Sequence, residues 1–260
     1  MTVLSYDCYC DEIVTQTGLL TSAITGADLT VQVPTCPDWN VGQLLRHLGG
    51  AQRWAAEIVR SRAVGPVRRD FTDLSAYVRE DPAVTGPWLA EGAAQLAAAL
   101  RGAGPGTPVW TPIASGITDF YARRFTHETL IHRADAALAV GAGYQADADV
   151  AADAIDEWLY LGSLPIHLEY YPEVRELLGP GRTLHFHATD TPPEAAAEWV
   201  IDLTGEAITW RRAHEKAAVA ARGPLTDLLL VLYRRRPAAV LEVLGDAGLL
   251  ELWLDRAKFG

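Results

Sequence analysis

The chain has 260 residues and a formal charge of −11, with 22 Lys and Arg against 33 Asp and Glu. That length suits one large domain or two small ones, and the 49% hydrophobic content supports a packed core. The acidic balance argues against a nucleic-acid-binding protein, which would carry a basic face.

Lysine is confined to Lys216 and Lys258 while Ala, Arg, Leu and Val dominate, a composition that fits a GC-rich bacterial source. Cys8, Cys10 and Cys36 are an odd number at scattered spacing, which gives no disulfide framework and no zinc ribbon. The N-terminus lacks the charged and apolar regions of a signal peptide, and no apolar run reaches the ~18 residues of a membrane span. The expected location is a reducing cytoplasm, with no membrane or nucleic-acid partner.

From about Tyr6 to Thr25, Ile13, Leu19, Leu20 and Ile24 recur at helical spacing and predict a first helix. A turn-rich stretch follows, Val33-Pro34-Thr35-Cys36-Pro37-Asp38-Trp39. Asn40 then reads as an N-cap with Gln43 completing a capping box, opening a second helix through His47 and Trp54 to about Arg60. Residues 64 to 82 read mostly as loop. A third helix is predicted from about Pro87 to Leu100, ended by the Gly-Pro-Gly-Thr-Pro run at 104–108. A fourth should start near Ser115 or Thr118 and run to about Val140, stopped by Gly141 and Gly143. One more covers roughly Ala148 to Gly162. These helices read as an antiparallel bundle over residues 1–165.

Near residue 180 the period changes to two. Thr183–Ala188 and Glu198–Leu203 alternate, Ala207–Arg211 and Ala217–Ala221 are shorter strand candidates, and Leu203-Thr204-Gly205-Glu206 reads as a hairpin turn. Helical patterns return at Leu225–Arg235 and Ala247–Arg256. Residues 180–260 therefore form a small α+β domain, with the boundary expected between Gly162 and Gly181. The fold class is α+β.

Glu128 and His132 lie four apart in the fourth helix and so share one face. His47, on a different helix, can add a third ligand, because inward-facing residues of separate helices converge in a bundle. Three N/O ligands with one open position is the pattern of a catalytic divalent-metal site. Two bland readings stand beside it. Arg124, Glu128, His132 and Asp135 fall on one stripe and form a salt-bridged face equally well, and His47, among Leu44, Leu45 and Leu48, reads alone as a half-buried core histidine. His127 lies about 100° round the helix from Glu128 and is read as structural or supporting. His185 and His187 share one strand face but lack a third ligand nearby in sequence, which makes a poor zinc site. Cys36, just before a helix start, is either a stabilised thiolate or a small buried thiol in a turn.

Several motifs together resemble the mycothiol-dependent maleylpyruvate isomerase family, a branch of the DinB-like metal-binding bundles found in actinobacteria. They are Cys36-Pro-Asp-Trp-Asn-Val, His47-Leu-Gly, Arg124-x-x-x-Glu128-x-x-x-His132-Arg-x-Asp135, His185-x-His187-x-Thr-Asp190, Arg211-Arg212-x-His214, the segment from Arg222-Gly-Pro to Tyr-Arg-Arg, and Val243-Leu-Gly-Asp246. The resemblance covers nearly the whole chain. It implies a DinB-like four-helix bundle with a small C-terminal α+β domain closing over the site. It implies metal ligation by His47, Glu128 and His132, of zinc or another divalent ion, and mycothiol as cofactor. The implied chemistry is a metal-activated thiolate that adds to an electron-poor double bond. Rotation and thiol expulsion then give cis–trans isomerisation, and retention of the thiol gives S-transfer. Asp135 would orient His132. Arg53, Arg124 and Arg222 are the candidates for a substrate's carboxylates, and Asp190 and His214 for contacts with the cofactor. Two other readings remain: a non-catalytic metal-binding regulator or scaffold, and a zinc hydrolase.

Overall fold

The computed structural model describes residues 4–69 and 71–257. The chain divides into two compact units, Leu4–Tyr144 and the remainder from Gln145 onward.

The first unit is a four-helix bundle of α1 (Tyr6–Ala23), α2 (Val41–Ser61), α3 (Pro82–Ala103) and α4 (Thr118–Val140). Helix α1 packs on α3 and α4, and α2 packs on the same two partners. Their starts follow local chemistry. Ser5 accepts the Cys8 N–H to open α1, and the Asn40–Gln43 capping box opens α2 with both reciprocal bonds formed. Gly141 closes α4 in the left-handed region at φ 69°, a conformation that carries no Cβ penalty for glycine. Helix α3 begins at Pro82 rather than near Pro87, because the Asp81 side chain accepts the Ala83 N–H and Pro82 fills the first turn; Pro87 lies inside the helix.

The core of this unit is built from one stripe of each helix: Ile13 and Leu20, Leu44, Leu45 and Leu48, Leu89 and Leu96, Tyr121 and Leu130 are all fully buried. Each buried Leu or Ile contributes about 1.5–3 kcal/mol of apolar transfer. Gly49 is required by packing. A Cβ there would lie 2.3 Å from the Trp88 ring, so the absence of a side chain lets α2 and α3 close together two residues from His47.

The second unit holds a five-stranded sheet of β1 (Thr183–Ala188), β2 (Glu198–Asp202), β3 (Thr209–Arg212), β4 (Val219–Gly223) and β5 (Glu242–Gly245), in the order β3-β2-β1-β4-β5. Only the β1–β4 pairing is parallel. Around it lie α5 (Ala148–Ser163), the short α6 (Pro165–Tyr170), α7 (Leu225–Leu232) and α8 (Ala247–Arg256). Strand β5 is not marked as a strand by the sequence pattern. Period-two alternation gives the sheet two unlike faces. Phe186 on β1 opposes Trp199 on β2, both fully buried, and the Phe186 ring lies 5.3 Å from that of Trp253 on α8. His185, His187 and Glu198 occupy the other face.

One expectation needs correction. Helix α5, read from the sequence as the end of a bundle spanning 1–165, belongs to the second unit, and the boundary falls at Tyr144–Gln145 instead of between Gly162 and Gly181. The reason is polar as well as apolar. Helix α5 packs on α7, and its buried Asp156 accepts the Trp199 indole N–H at 2.7 Å and binds the Arg212 guanidinium through both carboxylate oxygens.

Candidate metal centre

In the bundle unit, α2 supplies His47 and α4 supplies Glu128 and His132. One donor atom from each lies within 4.8 Å of the other two. The i, i+4 spacing brings His132 Nε2 to 3.5 Å from Glu128 Oε1, and the imidazoles of His47 and His132 meet nearly edge to face, with centroids 5.3 Å apart. This is the donor set read from the sequence. It suits a divalent ion of borderline softness: two imidazoles and one carboxylate, which leaves a fourth tetrahedral position for an exogenous ligand.

The surroundings hold each donor in place. Asp135, fully buried, lies 2.9 Å from His132 Nδ1, a contact that fixes the ring and turns Nε2 toward Glu128. Two residues of the turn before α2 anchor that carboxylate in turn. Thr35 donates its hydroxyl to Asp135 Oδ1 at 2.6 Å, and Cys36 points its Sγ at Oδ2, 3.8 Å away. Cys36 is thus a half-buried thiol turned onto a carboxylate. Arg124 grips Glu128 Oε2 through Nε and Nη2, at 3.1 and 2.5 Å, so Oε1 is the oxygen turned toward His132. His47 lies against Trp39, with ring centroids 4.6 Å apart, and meets the edge of Phe71 at 5.8 Å. These aromatic walls reduce water access to the donor atoms.

Burial, reinforced by the nearby His132, pushes His47 down to about 4, so it is neutral at physiological pH. Burial also opposes charge on His132, but hydrogen bonds to Asp135 and Glu128 outweigh it and raise its pKa to about 9. Burial opposes charge on Glu128 as well, yet Arg124 and His132 hold its carboxyl well below the usual range. The metal-free centre therefore stores one proton, on His132, and a metal must displace it. Between pH 6 and 8 the apparent metal affinity is expected to rise about tenfold per pH unit, with one proton released per ion. Calorimetry in buffers of different ionisation enthalpy checks this. Release of two protons would mean that His47 is charged in the free protein.

Asp135→Ala is expected to weaken metal binding by about 10–100-fold, the usual cost of losing the group that orients a histidine ligand. Competition against a chromophoric chelator measures it, and unchanged affinity would remove Asp135 from the site.

The other sequence candidates have other partners. Arg124 is committed to Glu128. Arg53 bonds to the Trp88 carbonyl and Glu91 and stacks on the Trp88 ring. With Arg46, Trp54, Arg68, Phe71 and Trp88 it lines a groove in the bundle unit, and Phe71 is also the residue that touches His47. His127 is fully buried with its ring edge-on to Tyr9, which fits a structural residue. Asp190, Arg222 and His214 all belong to the second unit. Asp190 caps α7 by accepting the Leu225 N–H at 2.8 Å, and Arg222 pairs with Glu242 at 3.3 Å. His214 sits with its Nδ1 2.7 Å from Glu198. Thr35 was not singled out from the sequence, because its contact with Asp135 spans 100 positions.

No match was found among curated proteins. Two solved structures resemble the chain over 94% of its length and 95% of theirs: the mycothiol-dependent maleylpyruvate isomerase, at TM-score 0.59 and 13% identity, and a histidine-to-alanine mutant of it, at 0.58 and 12%. At that identity the likeness speaks for the fold. Residues 10–137 match the model of the mycothiol maleylpyruvate isomerase N-terminal domain, a span that includes all three donors and Asp135, and residues 149–252 match the corresponding C-terminal domain. Matched in both halves and in the same order, the chain belongs to the mycothiol maleylpyruvate isomerase family.

Proposed function

We propose that this protein is a metal-dependent enzyme that uses mycothiol to isomerise a small, electron-poor, anionic alkene of the maleylpyruvate type. The observation that carries this reading is the convergence of His47, Glu128 and His132, with His132 oriented by a buried carboxylate. A divalent ion held by these donors supplies Lewis acidity that keeps a thiol deprotonated near neutral pH. The chain's own residues do the rest. His47 and His132 offer neutral imidazole lone pairs, and Glu128 offers one oxygen while Arg124 restrains the other. Asp135 holds the proton on His132 Nδ1 and so fixes the ring. Trp39 and Phe71 shield His47 from water. The groove beside Phe71 is lined by Arg46, Arg53 and Arg68; Arg46 pairs with Glu80 and Arg53 with Glu91, so the carboxylates of a dianionic substrate would compete with those acids for the guanidinium groups.

The test is an isomerisation assay on the zinc-loaded protein with maleylpyruvate, run with mycothiol, with glutathione and without thiol, and followed by NMR of the alkene protons. Turnover with mycothiol alone supports the proposal. Formation of a stable thiol adduct would instead assign S-transfer. Hydrolysis without thiol, or no thiol-dependent chemistry with metal bound, would overturn the isomerase reading.

A further inference from the structure

The second unit contains another convergence of donor atoms, made of residues other than His47, Glu128 and His132. His185 and His187 stand two apart on β1 and therefore on one face of the sheet. The β1–β2 register places Glu198 directly opposite His187. His214, two residues beyond the end of β3, completes the group, and one donor atom from each of the four lies within 4.8 Å of the others.

The geometry around Glu198 is unusual for a hydrogen-bonded cluster. One oxygen, Oε2, lies 2.8 Å from His185 Nε2, 2.8 Å from His187 Nδ1 and 2.7 Å from His214 Nδ1. The three rings form a nearly equilateral triangle around it, with centroids 5.6 to 5.9 Å apart and planes inclined by 69° to 89°. A carboxylate oxygen has two lone-pair directions, so three imidazole donors oversubscribe it. Three protonated imidazoles would also leave two uncompensated positive charges. Three imidazole nitrogens gathered on one carboxylate oxygen are instead the donor set that a transition-metal ion takes. Tetrahedral ligands ~2.1 Å from an ion sit ~3.4 Å apart, so the observed spacing closes onto an ion with shifts of under ~1 Å.

We propose that His185, His187, Glu198 and His214 form a second divalent-metal site, with zinc as the ion that four N/O ligands of this kind suit best. It differs in kind from the centre in the bundle. That centre has three protein donors and an open position, whereas this one has four and is closed, the pattern of a structural site. An ion here ties the segment after β3 to β1 across the intervening β2, and so fixes the 213–218 connection into β4. His185 is buried and His214 is mostly exposed, so the ion enters and leaves on the His214 side.

The experiment uses the full chain stripped by chelation and then titrated with Zn²⁺ in a His47→Ala background, which disables the bundle centre. That background is expected to bind one equivalent, with Zn²⁺ raising the melting temperature. His47→Ala/His214→Ala is expected to bind at least tenfold more weakly and to lose the thermal shift. His214 is exposed, so this variant keeps its fold, and circular dichroism checks it. His47→Ala/Glu198→Gln should behave alike. Absence of binding in the His47→Ala protein, or equal binding when His214 is also removed, would overturn the proposal. If the His47→Ala protein still bound two equivalents and lost one with His214, this site would stand and the bundle centre would fall.

Discussion

His47→Ala, Glu128→Ala and His132→Ala are each expected to lower bound metal by one equivalent per chain while leaving the helical content intact. Structural zinc sites bind with apparent free energies of about 10–16 kcal/mol shared among four ligands, so one lost ligand costs ~3 kcal/mol, or a hundredfold and more in affinity. A three-donor site has no reserve against that loss, and thiol-dependent turnover should fall with the metal. The fold should survive because the bundle is held by apolar clusters in which none of the three takes part: Leu44, Leu45 and Leu48 flank His47 and stay buried without it. His127→Gln is the control. His127 is as buried as any residue of α4 but faces Tyr9, so its loss should lower stability and keep the ion. Mass spectrometry of native protein reads both outcomes. Full metal content in any two of the three ligand variants would remove the assignment, and metal loss on changing His127 would mean that α4 presents a different face.

The site was legible in the sequence where its logic is local. Glu128, His132 and Asp135 lie within two turns of one helix, so spacing alone stacks them. His47 could be added because the inward-facing residues of separate bundle helices converge. What spacing could not show was the far shell. Thr35 and Cys36 reach Asp135 across 100 and 99 positions. Arg124, read as a substrate-binding candidate, sits one helical turn from Glu128 and pairs with it. The His185–His187 pair looked deficient for the same reason. Its missing partners, Glu198 and His214, arrive only through strand register, which no local pattern specifies.

The fold shows the same division. The capping box at Asn40 and Gln43 and the stop at Gly141 are short-range bonds, and both stand where the sequence put them. Pro82 and Pro87 are equally eligible as first-turn prolines, and the Asp81 side chain, bonded to the Ala83 N–H, decides between them. Helix α5 carries no sequence mark of the unit it joins. Its apolar stripe would serve either, and its allegiance is set by the bonds of one buried acid to Trp199 and Arg212, 43 and 56 positions away.

That acid gives the largest stability effect expected in the molecule. Asp156 is buried, and its two oxygens meet Arg212 Nε and Nη2 at 2.9 to 3.2 Å while Oδ1 also accepts the indole N–H of the fully buried Trp199. The Arg212 side chain is only 15% exposed and stacks over the Trp199 ring at 5.1 Å, so solvent offers little relief when its partner is removed. Breaking a buried ion pair by deleting one member costs about 3–5 kcal/mol, because the surviving charge stays desolvated. The orphaned indole N–H adds about 1–3 kcal/mol. Asp156→Ala is therefore expected to destabilise the second unit by roughly 4 kcal/mol or more, a large part of a domain's stability. Asp156→Asn keeps an acceptor for Trp199 and loses only the charge, so it should fall between the two. Urea unfolding followed by hydrogen exchange at the β1 and β2 amides assigns the loss to this unit. A change below ~1 kcal/mol for Asp156→Ala would show that Arg212 finds another partner and that α5 is held by its apolar face alone.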